Sequence, residues 1–226
     1  MCKNDKKQGD AGSEFVMKSC CQSFPDRIGF VDRPDVPMQG GGAVVRDAVE
    51  TDFVPDPVTA YHEAGHAVVG VLFGMTPVEI VAGSAGFVRW RDNPMPLEAG
   101  LVMTMAGDFA GGLAVRVEYR PFDSELAPWL ELIRKPAGGY CDRCRIIRQL
   151  VVDAGIDAQD AIILSAYRAT EVRTLEILRR NEVRAAIRTV AIALMKTGRL
   201  TGEEATAIAA RYIRPGELKE HRNENS

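Results

Sequence analysis

The stretch PVTAYHEAGHAVVGVLFG, residues 57–74, decides the fold. Asp56 stands before it as a capping residue, Pro57 suits a first helical turn, and Gly74 and Pro77 close it, so the spacing predicts a helix ending at Phe73. His62 and His66 are four residues apart and therefore lie one turn apart on one helix face, with Glu63 directly after the first. Two imidazoles in that relation reach a single zinc ion at about 2.0–2.1 Å, and the adjacent glutamate is placed to act as a general base for water. The plainer reading is a pair of ordinary histidines donating to backbone carbonyls, with Glu63 on a solvated face. Against it, the run AVVGVLF that follows is apolar, so the helix is expected to be buried, where unpartnered polar groups are costly.

The rest of the chain is consistent with one sizeable domain: 226 residues, 46% hydrophobic, suffice for a core. Its 28 basic against 31 acidic side chains leave a net charge of −3, which offers no electrostatic argument for nucleic acid or an anionic membrane. No apolar run of the ~18–20 residues that a span requires is present, nor a secretory apolar segment near the start, so a cytoplasmic protein without a membrane span is expected. Cys2, Cys20, Cys21, Cys141 and Cys144 are odd in number and do not resemble a disulfide framework, so reduced thiols are expected.

Residues 1–50 carry Pro25, Pro34, Pro37 and Gly40 to Gly42 without a persistent period, and read as a flexible arm in which Gly12-Ser13-Glu14-Phe15 has the form of a cloning-site scar. VEIVA at 78–82 and GFVRWR at 86–91, separated by Gly83-Ser84-Ala85, predict a hairpin against the first helix. Residues 97–119 have helical spacing and small residues that let another helix approach closely. A loop is expected over 120–140, where Pro121, Pro128, Pro136 and Gly138-Gly139 fall, followed by helices broken near Gly155, Asn181 and Gly198. The expected fold class is mainly α: a domain over 51–215 with an HExxH helix, a small sheet or hairpin beside it and a C-terminal helical bundle, then a charged tail at 216–226.

TAYHEAGHAVVGVLFG (59–74) resembles the start of the peptidase domain of FtsH-type ATP-dependent zinc proteases. LVMTMAGDFAGGLA (101–114) is similar to the next helix of that family, and residues 166–212, with their LTGEE turn, are similar to its closing helices. The resemblance implies Zn2+ held by His62, His66 and a third ligand, Asp142, which stands in GGYCDRCRIIRQLVV (138–152) where the family has an SNDL-like sequence. Asp142 also reads as a simple helix cap. Cys141 and Cys144 depart from the family pattern, either as thiols at a helix start or as a thiolate replacing or joining Asp142 at the metal. Glu98, Glu118, Asp108 and Glu125 are the other local carboxylates. Asp108 lies where the family usually has an arginine, and reads as an acceptor for a ligating imidazole or as a solvated charge.

The resemblance thus implies a zinc-dependent endopeptidase acting on unfolded or flexible polypeptides, with Glu63 as catalytic base and the extended SAGFVRW run accepting substrate as an added strand. No G-x-x-x-x-G-K-[ST] phosphate loop is present, so the expectation is a stand-alone peptidase domain without its own motor, served if at all by a separate ATPase. A homo-oligomer, in the family's manner a hexamer, is expected through the helical half. Two alternatives stand beside this reading. One is a non-catalytic zinc-binding regulatory or adaptor protein, against which the intact Glu63 weighs. The other is a redox or metal-storage protein built on Cys141 and Cys144.

Overall fold

Asp56 caps the first helix as the sequence leads one to expect. Its Oδ2 accepts from the Thr59 backbone N–H at 3.0 Å, Pro57 occupies the first turn, and α1 runs Pro57–Leu72. The structure, a computed structural model, describes residues 56–83, 86–91, 95–115, 126, 130 and 141–220. The arm expected at 1–50 lies outside them. After α1 come β1 (Pro77–Val81), β2 (Phe87–Trp90), α2 (Leu97–Ala114), α3 (Asp142–Ala154), α4 (Asp160–Leu178), α5 (Asn181–Thr197), β3 (Arg199–Thr201), α6 (Gly202–Ala209) and α7 (Glu217–Glu220). The chain is therefore mainly α with a small antiparallel sheet, and none of the described helices is long and apolar enough to cross a membrane.

The expected hairpin forms, with Ile80 opposite Val88 and Val81 opposite Phe87. A third strand was not expected, because RLTG falls within the predicted helical half. Gly198, at φ 71°, ends α5 in a conformation that favours glycine, and Arg199–Thr201 then pair with β1, giving the order β2-β1-β3. Thr201 immediately caps α6: its Oγ1 accepts from the Glu204 backbone N–H at 3.2 Å while Glu204 Oε2 accepts from the Thr201 N–H at 2.8 Å. Within 120–140, expected as a loop, Leu126 and Leu130 are instead helical and buried. Their apolar side chains are drawn into a core that the local prolines do not reveal. The segment from 216 begins docked on the body, since the Gly216 N–H donates to the Val71 carbonyl at 2.9 Å and Arg180 Nη2 donates to Glu217 Oε1 at 2.7 Å.

Helix α2 separates two apolar clusters. Val102, Met103, Ala106 and Ala110 join α1, β1, α5 and α6 in one, while Leu101 and Met105 join Leu126, Leu130, α3 and α4 in the other. The small residues of α2 explain how close α1 lies to it. A methyl group placed on Gly65 would stand 2.5 Å from Ala110 Cβ and 2.6 Å from the Ala106 carbonyl oxygen. Gly65→Ala should therefore destabilise the fold by about 1–3 kcal/mol through overpacking, opposite in sign to the gain of about 1 kcal/mol that alanine brings to an exposed helix. Thermal unfolding checks this: a melting temperature equal to or above wild type would mean that the two helices are not held so close.

Candidate metal centre

His62, Glu63 and His66 come from α1, Asp142 from the first turn of α3, and α2 lies beneath them. His62 Nε2 and His66 Nε2 stand 2.8 and 3.2 Å from Asp142 Oδ2, and 3.0 Å from each other. The two rings meet edge to face, at 88° with centroids 4.6 Å apart, so both direct an Nε2 at one point despite sharing a helix face. Asp142 is not the cap of its helix. Cys141 holds that position, and the carboxylate faces the two imidazoles, with Oδ1 3.7 Å from Arg145 Nη1.

The second nitrogens are also directed. His66 Nδ1 lies 2.8 Å from the Met103 carbonyl oxygen, and because a carbonyl only accepts, Nδ1 carries the proton and donates. His62 Nδ1 faces Asp108 Oδ1 at 4.0 Å, and Asp108 Oδ2 accepts from Arg143 Nε at 2.7 Å. Tyr167 is buried in the same region, and burial raises its phenol above the usual range, with Arg143 opposing and Asp108 and Glu171 adding.

Electrostatics draw positive charge to the meeting point. Burial by itself would lower His66, but the Asp142 carboxylate outweighs it, with Glu63 and the Met103 carbonyl adding, and raises the imidazole to about 9. Burial likewise would raise Asp142, yet the two imidazoles hold it well below the usual carboxylate range. A carboxylate kept ionised between two Nε2 atoms attracts a cation, whether proton or metal.

The donors fit a metal. One nitrogen from each histidine and one carboxylate oxygen lie within 4.8 Å of one another, the one group of three such residues among those described. A tetrahedral ion with ligands at about 2.0–2.1 Å needs donors about 3.3 Å apart. The observed 2.8–3.2 Å separations reach that span by opening a few tenths of an ångström. Gly107 makes room: a methyl group there would collide with the His66 ring.

Glu63 is 2% exposed and outside the donor group. A methyl group on Gly86, at the head of β2, would lie 2.5 Å from Glu63 Oε1, while Trp90 at the far end of β2 covers Gly70 of α1. The strand thus runs alongside α1 with its head over the Glu63 carboxylate. Of the other residues singled out in the sequence, Glu98 is exposed in the first turn of α2 and Cys144 is buried in the second core; neither they nor Cys141 join the donors. Glu118, Glu125 and His221 lie outside the described residues. The Met103 carbonyl left no sequence signal, because any residue supplies a carbonyl, and no local pattern set Arg143 apart from the other arginines of its helix.

Fold and site together define a mainly helical protein with a three-stranded sheet and a His-His-Asp group able to hold a metal ion. No protein-family model matches the chain, and no curated protein matches it at a significant level.

Proposed function

We propose that the chain is a zinc-dependent peptidase of the FtsH-like kind, cutting unfolded or flexible polypeptide. The observation that carries this reading is Glu63: a buried carboxylate beside the His-His-Asp donors but outside them, under the head of an exposed-edge strand. A metal-storage or adaptor site has no use for a base in that position. Two imidazoles and one carboxylate are also a donor set that leaves a catalytic zinc one open position.

Zinc bound there supplies Lewis acidity toward a peptide carbonyl and an attacking water. His62, His66 and Asp142 hold and orient it. Glu63 accepts the proton of the attacking water and returns it to the departing amine. The outer edge of β2, free of a strand partner among the described residues, receives an extended peptide by backbone hydrogen bonds, which gives affinity with little sequence selectivity and brings a carbonyl toward Glu63.

Purified protein should contain about one zinc per chain, and its cleavage of casein should stop on treatment with a chelator and return with Zn2+. Zinc-loaded protein inert on every unfolded substrate would favour an adaptor. Asp142→Ala should lose zinc affinity, whereas Cys141→Ser and Cys144→Ala should keep it. The reverse pattern, read by competition with a chromophoric chelator, would move the third ligand to a thiolate.

A further inference from the structure

Each histidine of the donor group turns its Nε2 toward Asp142 and its Nδ1 toward an oxygen carried by α2. For His66 the oxygen is the Met103 carbonyl, 2.8 Å away; for His62 it is Asp108 Oδ1, at 4.0 Å. The two differ in kind. A main-chain carbonyl is held by its helix, while a side-chain carboxylate needs to be held by something else. Arg143 does this, its Nε donating to Asp108 Oδ2 at 2.7 Å from a side chain only 10% exposed. Arg143 is also the residue directly after Asp142, so one ion pair ties α2 to the turn of α3 that presents the third donor.

We infer that Asp108 is the positioning carboxylate of this centre: the negative charge of Oδ1, facing His62 Nδ1 at 4.0 Å and so beyond direct hydrogen-bond range, favours the proton on Nδ1 and the lone pair on Nε2, and Oδ2, through Arg143, fixes the first turn of α3 and so the place of Asp142. The inference rests on the metal reading proposed above. The physical reason is that an imidazole can place its proton on either nitrogen, and only the tautomer with Nε2 bare offers a ligand at the meeting point. A carboxylate facing Nδ1 selects that tautomer, and the low exposure of both partners, 13% for the His62 side chain and 18% for that of Asp108, limits screening by water. A neutral, freely rotating group at position 108 would leave both the His62 ring and the α3 turn less constrained, so metal binding would have to order them.

The test measures zinc affinity by chelator competition for wild type, Asp108→Asn and Asp108→Glu, with circular dichroism to report the fold. NMR of the 15N-histidine-labelled, zinc-loaded proteins reports each Nδ1 proton. Asp108→Asn should bind zinc about 10–100-fold more weakly. Its His62 Nδ1 proton should exchange faster and move upfield, while that of His66, bonded to the Met103 carbonyl, stays in place as an internal control. Asp108→Glu, which keeps the charge, should recover part of the affinity. A folded Asp108→Asn protein with wild-type affinity and an unchanged His62 signal overturns the inference. Should Asp108→Asn not fold, Asp108→Glu decides: a displaced His62 signal with His66 unmoved supports the inference, and an unmoved His62 signal overturns it. Wild type that takes up no zinc overturns the metal reading itself and this inference with it, an outcome separate from wild type and variant binding alike.

Discussion

Glu63→Gln is expected to lower cleavage of unfolded polypeptide by about 10²–10⁴-fold while zinc content stays at the wild-type level. The substitution keeps the size of a side chain that is 2% exposed and packed against Gly86, so the fold has little reason to change. Glu63 is not among the three donors, so the ion should remain. What is lost is the group that takes and returns a proton. Parallel measurement of metal content and casein hydrolysis checks this. If wild type and Glu63→Gln are equally inert with zinc bound in both, the adaptor reading becomes the better one; if the variant loses its zinc, Glu63 is a ligand and the proposed division of roles fails.

His66→Ala, and likewise His62→Ala, should abolish stoichiometric zinc binding, since two donors cannot hold the ion as three do. The effect should also appear in stability. A ligand that binds only the folded state stabilises it by about 2.7 kcal/mol at a hundredfold excess over its dissociation constant, which raises the melting temperature by about 2–4 °C per kcal/mol for a chain of this size. Added Zn2+ should therefore raise the melting temperature of wild type and leave that of His66→Ala unmoved. The variant should also start lower, because removing the ring leaves the Met103 carbonyl without its 2.8 Å donor and opens space over Gly107. Full zinc occupancy in either variant would remove the histidines from the site.

Much of this architecture was legible in local sequence because local physics sets it. Asp56, Pro57 and Gly74 bound α1, and the breaks near Gly155, Asn181 and Gly198 fall where the later helices end or begin. The expected hairpin was visible as two β-rich runs around a short turn. The third strand was not, because three residues carry too little pattern of their own and Arg199–Thr201 become a strand only by pairing with β1, over a hundred residues earlier. The helical state of Leu126 and Leu130 was hidden in the same way, overshadowed by prolines nearby while their burial comes from α2, α3 and α4.

For the site, the sequence by itself determined that His62 and His66 share a helix face with Glu63 between them, since the 3.6-residue period leaves no other outcome once the helix forms. It determined too that α2 is lined with small residues. Only the tertiary structure decided which carboxylate meets the imidazoles. Asp142 was set apart from Asp108 and Glu98 by the family resemblance and by no local signal, and the packing of α3 across α2 brings Asp142 to 2.8 Å from His62, sets Asp108 behind that ring and leaves Glu98 in solvent. The same packing assigns the Met103 carbonyl to His66 and the head of β2 to Glu63. The physical reason is one of range. A helix period and a cap act over a few residues and are written in adjacent positions, whereas the separation of 76 positions from His66 to Asp142 is closed by the burial of two apolar clusters on either side of α2, and burial depends on area and carries no mark of which polar atoms it will bring together.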